Sequence, residues 1–228
     1  MAANSVNIEI EKIIRTKRKT IALHITDDAT LIVRAPLHAT DDLIKKVILK
    51  HKKWIEKKKT GIQSRAFKFC QKEFVNGEGF LYLGRYFKLT IVDNQKVKIK
   101  FENGFYLSRD AVPNAEKEFI KLYKKLAYEK ISERVKWYAE KRSFKYSSIK
   151  ISSAQKRWGS CSNKNNLNFS WRLIMAPLPV IDYVVVHELA HIEEKNHSKS
   201  FWNIVKTLMP DYKRYEYWLK KNGYLLRL

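Results

Sequence analysis

Near the C-terminal end of the chain, Ile181, Val184, Val185 and Val186 lead into His187-Glu188-Leu189-Ala190-His191, and Leu189, Ala190 and Ile192 fill the gaps between the polar residues. So apolar a run fits a mostly buried helix, and a solvated charged helix would not look like this. His187 and His191 are four apart, so on a helix they share one face, one turn above the other, as two imidazole ligands of a single metal must. Glu188 in the middle of such a run is rarely buried without a partner, which argues against a mere pair of packed core histidines.

A carboxylate beside the first ligand can reach water on the metal and take its proton, the arrangement of zinc hydrolases with an H-E-x-x-H helix. A catalytic site of that kind needs a third protein ligand. His197 lies six residues past His191, about 240° round an unbroken helix, so the helix must end first if this imidazole is to meet the metal. Glu193-Glu194-Lys195-Asn196 is polar and aperiodic, Asn196 tolerates the left-handed conformation of a helix terminus, and Ser198 can cap the next helix. Glu193 and Glu194 are rival ligands at awkward spacing, and ligand type and spacing favour His197.

His187-Glu188-Leu189-Ala190-His191, then Asn196-His197-Ser198, Phe201-Trp202 and Pro210-Asp211-Tyr212, closely resemble the YgjP-like zinc metallopeptidases, relatives of the SprT-like proteases. Arg157-Trp158-Gly159-Ser160-Cys161-Ser162, Trp171-Arg172-Leu173 and Ala176-Pro177 match the same family in the same order. The resemblance is detailed over residues 150–220 and looser over the rest. It implies His187, His191 and His197 as ligands of one zinc ion per chain and Glu188 as the catalytic base. The metzincins share the spacing of the three His but place Gly where this chain has Glu194, so the resemblance does not extend to them.

The chain of 228 residues, 45% hydrophobic, can bury a core in one large or two small domains. No stretch approaches the ~18 to 20 apolar residues of a membrane span. The first residues have neither the basic start nor the apolar core of a secretory signal, and a cytoplasmic location is expected. Cys70 and Cys161 stand far apart and suggest no disulfide framework. The formal net charge of +23 invites a nucleotide or nucleic-acid partner. The excess is spread over both halves and is mostly Lys, so a general lysine bias and a polyanion-binding role account for it equally. Its densest run, Lys45, Lys46, Lys50, Lys52, Lys53, Lys57, Lys58 and Lys59, falls on one expected helix, where a solvated face is the plainer account.

The expected fold is α+β: a β-rich antiparallel part over residues 1–110 with one basic amphipathic helix, then a mainly helical zincin-like catalytic domain over 111–228. Val6 to Ile14, Ile21 to Ile25 and Leu31 to Ala35 read as strands of an antiparallel meander, with a turn at Asp27-Asp28. Thr40-Asp41-Asp42 starts a helix whose Ile44, Val47, Ile48, His51, Trp54 and Ile55 recur at helical spacing until Gly61, with His51 packed on that face. Phe80 to Leu83, Tyr86 to Val92, Val97 to Phe101 and Phe105 to Leu107 return to strands, and a long amphipathic helix begins near Pro113 or Asn114.

Ile149-Lys150-Ile151 and Leu167-Asn168-Phe169 flank the Arg157-Trp158-Gly159 segment as strands. An exposed strand edge there could hold an extended polypeptide substrate, with Gly159 permitting close approach and Arg157 or Tyr212 helping an oxyanion; a structural hairpin over the helix explains the segment as well. Three activities fit the residues: peptide-bond hydrolysis, nucleoside triphosphate pyrophosphatase chemistry by the same activated water, and cleavage of nucleic-acid-associated proteins as in the SprT-like relatives.

Overall fold

The computed structural model describes residues 9–26, 29–68 and 72–228, the side chains of 63–68 excepted. The turn expected at Asp27-Asp28, Cys70 and the start of the first expected strand lie outside the described residues. The chain divides into two units, Met1–Gln71 and Lys72–Leu228. Both combine helices with small sheets, so the class is α+β.

In the first unit, β1 (Lys12–Thr16), β2 (Ala22–Ile25) and β3 (Leu31–Pro36) form a sheet of order β1-β3-β2. The expected antiparallel meander is corrected: β3 pairs antiparallel with β2 but parallel with β1. Strand β3 carries Leu31, Val33 and Ala35, all fully buried, and the most apolar strand takes the central place. Helix α1 (Asp41–Lys50) starts where Thr40 accepts the Leu43 N–H at 3.3 Å, with Asp41 and Asp42 complementing its N-terminus. The single expected helix is two: α1 ends at His51, and α2 runs from Lys52 to Lys68, through Gly61. Ile44, Ile48 and Ile55 are buried against the sheet, whereas His51 is exposed and Trp54 is 42% exposed, so neither packs as the periodicity suggested.

The second unit opens with β4 (Gly79–Tyr82), β5 (Arg85–Val92), β6 (Ile99–Phe101) and β7 (Phe105–Ser108) in the order β4-β5-β7-β6, with β5 and β7 parallel. These strands share one core with helix α3 (Ala115–Arg142): the Phe80 and Phe119 rings stack at 4.2 Å, and the Tyr123 hydroxyl donates to the Leu81 carbonyl at 2.6 Å. The unit boundary therefore falls near residue 71 and not near 110, because aromatic packing joins this sheet to α3. Next come β8 (Ser148–Ser152), β9 (Gly159–Cys161) and β10 (Asn166–Ser170), with β10 central, parallel to β8 and antiparallel to β9.

Helices α4 (Leu178–Glu193), α5 (Lys199–Leu208) and α6 (Tyr212–Asn222) complete the unit. Nearly every residue of α4 from Val180 to Ala190 is buried, as its apolar run requires. Asp182 on α4 is held by Arg134 of α3 through two bonds of 2.5 and 2.9 Å, a bidentate pair mostly out of water. Burial raises the Asp182 carboxyl above the usual range, and Arg134 partly offsets this. No described helix is long and apolar enough to cross a membrane.

Candidate metal centre

Helix α4 carries His187, Glu188 and His191 and ends at Glu193. The chain leaves it through Glu194 in an extended conformation, so the left-handed Asn196 considered from the sequence is not how the helix stops. Ser198 then caps α5 by accepting the Phe201 N–H at 3.2 Å. The turn between these helices brings His197 back over α4. The ligand nitrogens of His187, His191 and His197 all lie within 4.8 Å of one another. Nε2 of His197 is 3.0 Å from Nε2 of His187. Two imidazole nitrogens on one tetrahedral zinc sit about 3.3 Å apart, given Zn–N near 2.0 to 2.1 Å, so the constellation fits such an ion.

The protonation of the rings agrees. Nδ1 of His191 lies 3.0 Å from the Glu194 carbonyl, which accepts its proton and leaves Nε2 as the ligand atom. Burial, reinforced by the two neighbouring imidazoles, pushes His187 down to about 3 and holds it neutral. Burial also lowers His191. Nδ1 of His187 is buried and finds no hydrogen-bond partner among the described residues, so that ring lacks the anchor His191 has.

The rival ligands are otherwise engaged. Glu193 takes two bonds of 2.9 Å from Arg142 of α3, and the Glu194 carboxylate faces the Ser198 hydroxyl at 3.5 Å. The Cys161 sulfur donates to the Ser162 carbonyl, and burial raises its thiol, the reverse of what a ligand needs.

Glu188 is 5% exposed, and burial pushes its carboxyl up to about 8, with Arg157 pulling the other way. It lines a cavity of about 310 Å³ together with His187, Trp158, Gly159, Tyr183 and Leu219. Gly159 is needed here for a specific reason: a Cβ on it would stand 2.5 Å from Oε1 of Glu188. The missing side chain makes room for the carboxylate, a closer role than the substrate approach expected of it. Trp158 lies over Gly223, whose Cβ would meet the indole at 2.8 Å, and its ring walls the cavity. Arg157 is exposed and acts on Glu188 through its charge. Tyr212 is buried, stacked on Trp202 at 5.2 Å and on Tyr183 at 6.5 Å, and is not among the residues lining the cavity.

Sequence reasoning passed over Tyr183, Glu216 and Lys220, which also line the cavity. Tyr183 is four residues before His187, and that spacing alone could have placed it on the ligand face. Glu216 and Lys220, paired at 2.5 Å on α6, come from a helix whose docking no local pattern reveals.

Among known proteins, the UTP pyrophosphatase of Escherichia coli K12 is 43% identical over 42 residues, 18% of this chain and 25% of that relative. The chain thus matches about a quarter of that protein's length. The crystal structure of the metallopeptidase zymogen abylysin from Pyrococcus abyssi aligns at 18% identity and a TM-score of 0.37, over 40% of this chain and 93% of that one, a likeness too slight to carry argument. The YgjP-like family model, described as a metallopeptidase domain, matches residues 19–222. Matched over nearly its whole length and bearing the three converging imidazoles, the chain belongs to the YgjP-like metallopeptidase family.

Proposed function

We propose that the protein is a zinc-dependent metallopeptidase that hydrolyses peptide bonds, with His187, His191 and His197 holding the zinc and Glu188 acting as general base. One observation carries this reading: three imidazoles converge beside a buried carboxyl on the wall of a cavity bordered by an edge strand. A zinc ion there supplies a Lewis acid and brings the pKa of water toward about 7. Glu188 Oε1 takes the proton from the attacking water and returns it to the leaving amine nitrogen. Burial raises this carboxyl in the metal-free site, and the positive charge of a bound zinc would draw it back toward the ionised form that accepts a proton.

Strand β9 is bonded to β10 on one side, and no described strand covers its other side. An extended polypeptide can add along that edge through main-chain hydrogen bonds, bringing a carbonyl over the cavity. Trp158, Tyr183 and Leu219 offer apolar walls for one substrate side chain, and the charge of Arg157, which already acts on Glu188, would favour developing negative charge.

A second reading is hydrolysis of a nucleoside triphosphate at the same centre, favoured by the partial match to the UTP pyrophosphatase. The chain lacks a Gly-rich phosphate loop, which places this reading second.

One experiment separates them: zinc-loaded protein is assayed against unfolded polypeptides and against UTP, with Glu188→Gln as control. Peptide turnover that falls by about 10²- to 10⁴-fold in the variant, with zinc retained, supports the first reading. Turnover of UTP alone, with the same loss, supports the second. Full activity of Glu188→Gln would remove Glu188 from both.

A further inference from the structure

The first unit carries a feature the metal centre does not use. The two helices meet at His51, the C-cap of α1: its N–H donates to the Val47 and Ile48 carbonyls, both at 3.1 Å, and its carbonyl accepts the Ile55 N–H of α2 at 3.0 Å. Ile44, Ile48 and Ile55 are buried along one line, so the two helices share a single phase. On that phase Lys46, Lys50, Lys53 and Lys57 follow at i, i+4, i+7 and i+11, about 170° from the buried line at 100° per residue. The ladder is about 16 Å long at 1.5 Å per residue.

All four lysines are exposed and none has an ion pair among the described residues. The nearby acids are spent or peripheral: Asp41 binds Arg15 at 2.7 Å, Glu56 faces Lys52 at 4.0 Å, and Asp42 stands one turn before the ladder, at the N-terminus of α1. Trp54 is 42% exposed, a turn from both Lys50 and Lys57. Exposed Leu43 and Leu49 also lie beside the lysines and not on the outermost line. An interfacial membrane helix would put its apolar residues outermost, with lysines flanking. A phosphate backbone calls for the reverse order, and an accessible indole between lysines suits stacking on an unpaired base.

We infer that the outward face of α1 and α2 binds single-stranded nucleic acid, with Lys46, Lys50, Lys53 and Lys57 along the phosphates and Trp54 stacked on a base. This surface is separate in residues from the metal centre and does not depend on the reaction proposed for it.

The test is fluorescence anisotropy of a labelled single-stranded oligonucleotide with the full-length protein across a salt series. Reversing all four lysines to Glu should weaken binding at least tenfold and flatten the dependence of log K on log salt by about 3, at roughly 0.7 per phosphate contact. Replacing them with Gln should act in the same direction and guards against misfolding of the Glu variant. A control reverses Lys117, Lys124, Lys136 and Lys206, exposed lysines of the second unit, for the same change in net charge. The control should retain most of the affinity, and Trp54→Ala should weaken binding severalfold. Equal losses in the ladder and control variants would show an effect of bulk charge and overturn the proposal. Preference for duplex over single strand with Trp54→Ala unchanged would do so too, as would binding of phosphatidylserine vesicles but no oligonucleotide.

Discussion

Helix α4 and the α1–α2 pair are opposites. In α4 almost every side chain is buried, and each polar one has a definite partner or position: Asp182 meets Arg134, His187 and His191 meet His197, and Glu188 meets the space left by Gly159. Among the described side chains of α1 and α2 only one line of isoleucines is buried, and most of the charged residues are exposed. A polar group costs a great deal in the first setting and almost nothing in the second. A single residue of α4 is therefore informative, while the lysines mean something only as a geometric set.

This contrast can be broken by substitution. Arg134→Ala leaves Asp182 buried without its counter-charge, held only by the Tyr138 hydroxyl, and should cost about 3 kcal/mol of stability, read by urea denaturation. A loss under about 1 kcal/mol would mean that α4 tolerates an uncompensated carboxyl and is not the demanding environment described. Gly159→Ala should come next, because the added methyl would displace Glu188 from a 2.5 Å approach. Turnover should drop about 10²-fold, the usual cost of misplacing a catalytic group by about 1 Å, with zinc content unchanged. Wild-type rates in that variant would show that the carboxylate does not act from this position.

A smaller effect depends on pH. The Glu188 carboxyl sits at about 8 in the fold against an ordinary 4.5 in the unfolded chain. Its contribution to stability is present below 4.5 and is lost as pH rises through 8, because the unfolded chain releases the proton first. In metal-free protein, Glu188→Gln should gain on the wild type as pH goes from 5 to 8, read as a rise in its Tm relative to that of the wild type. A constant difference across that range would contradict a buried, neutral Glu188. Smallest of all, Lys52→Ala on α2 removes only a 4.0 Å surface contact with Glu56 and should change stability by less than about 0.5 kcal/mol. A larger change would erase the distinction between the two helical regions.

The features legible in the sequence are those set by near neighbours. The i, i+4 pair of His187 and His191, the helix end before His197 and the Ser198 cap all follow from local spacing, and the structure contains each of them. Strand limits from residue 79 to 108 differ from expectation by no more than two residues. What the sequence hid is set by distant contacts. The parallel pairing of β1 with β3 depends on which strand becomes central, and the unit boundary on aromatic packing between Phe80 and Phe119. His51 and Trp54 fit the apolar period, yet their exposure depends on how narrow the buried line is. At the site, the roles of Gly159 and of Glu216 were hidden because each requires a second element, α4 or α6, to dock beside it.

Zinc X-ray absorption on the loaded full-length protein tests the centre most directly. Three imidazole nitrogens at about 2.0 to 2.1 Å are expected, at one zinc per chain, with one imidazole lost and binding weakened in His197→Ala. A sulfur shell near 2.3 Å, or a spectrum and affinity unchanged in His197→Ala, would contradict the three-histidine centre.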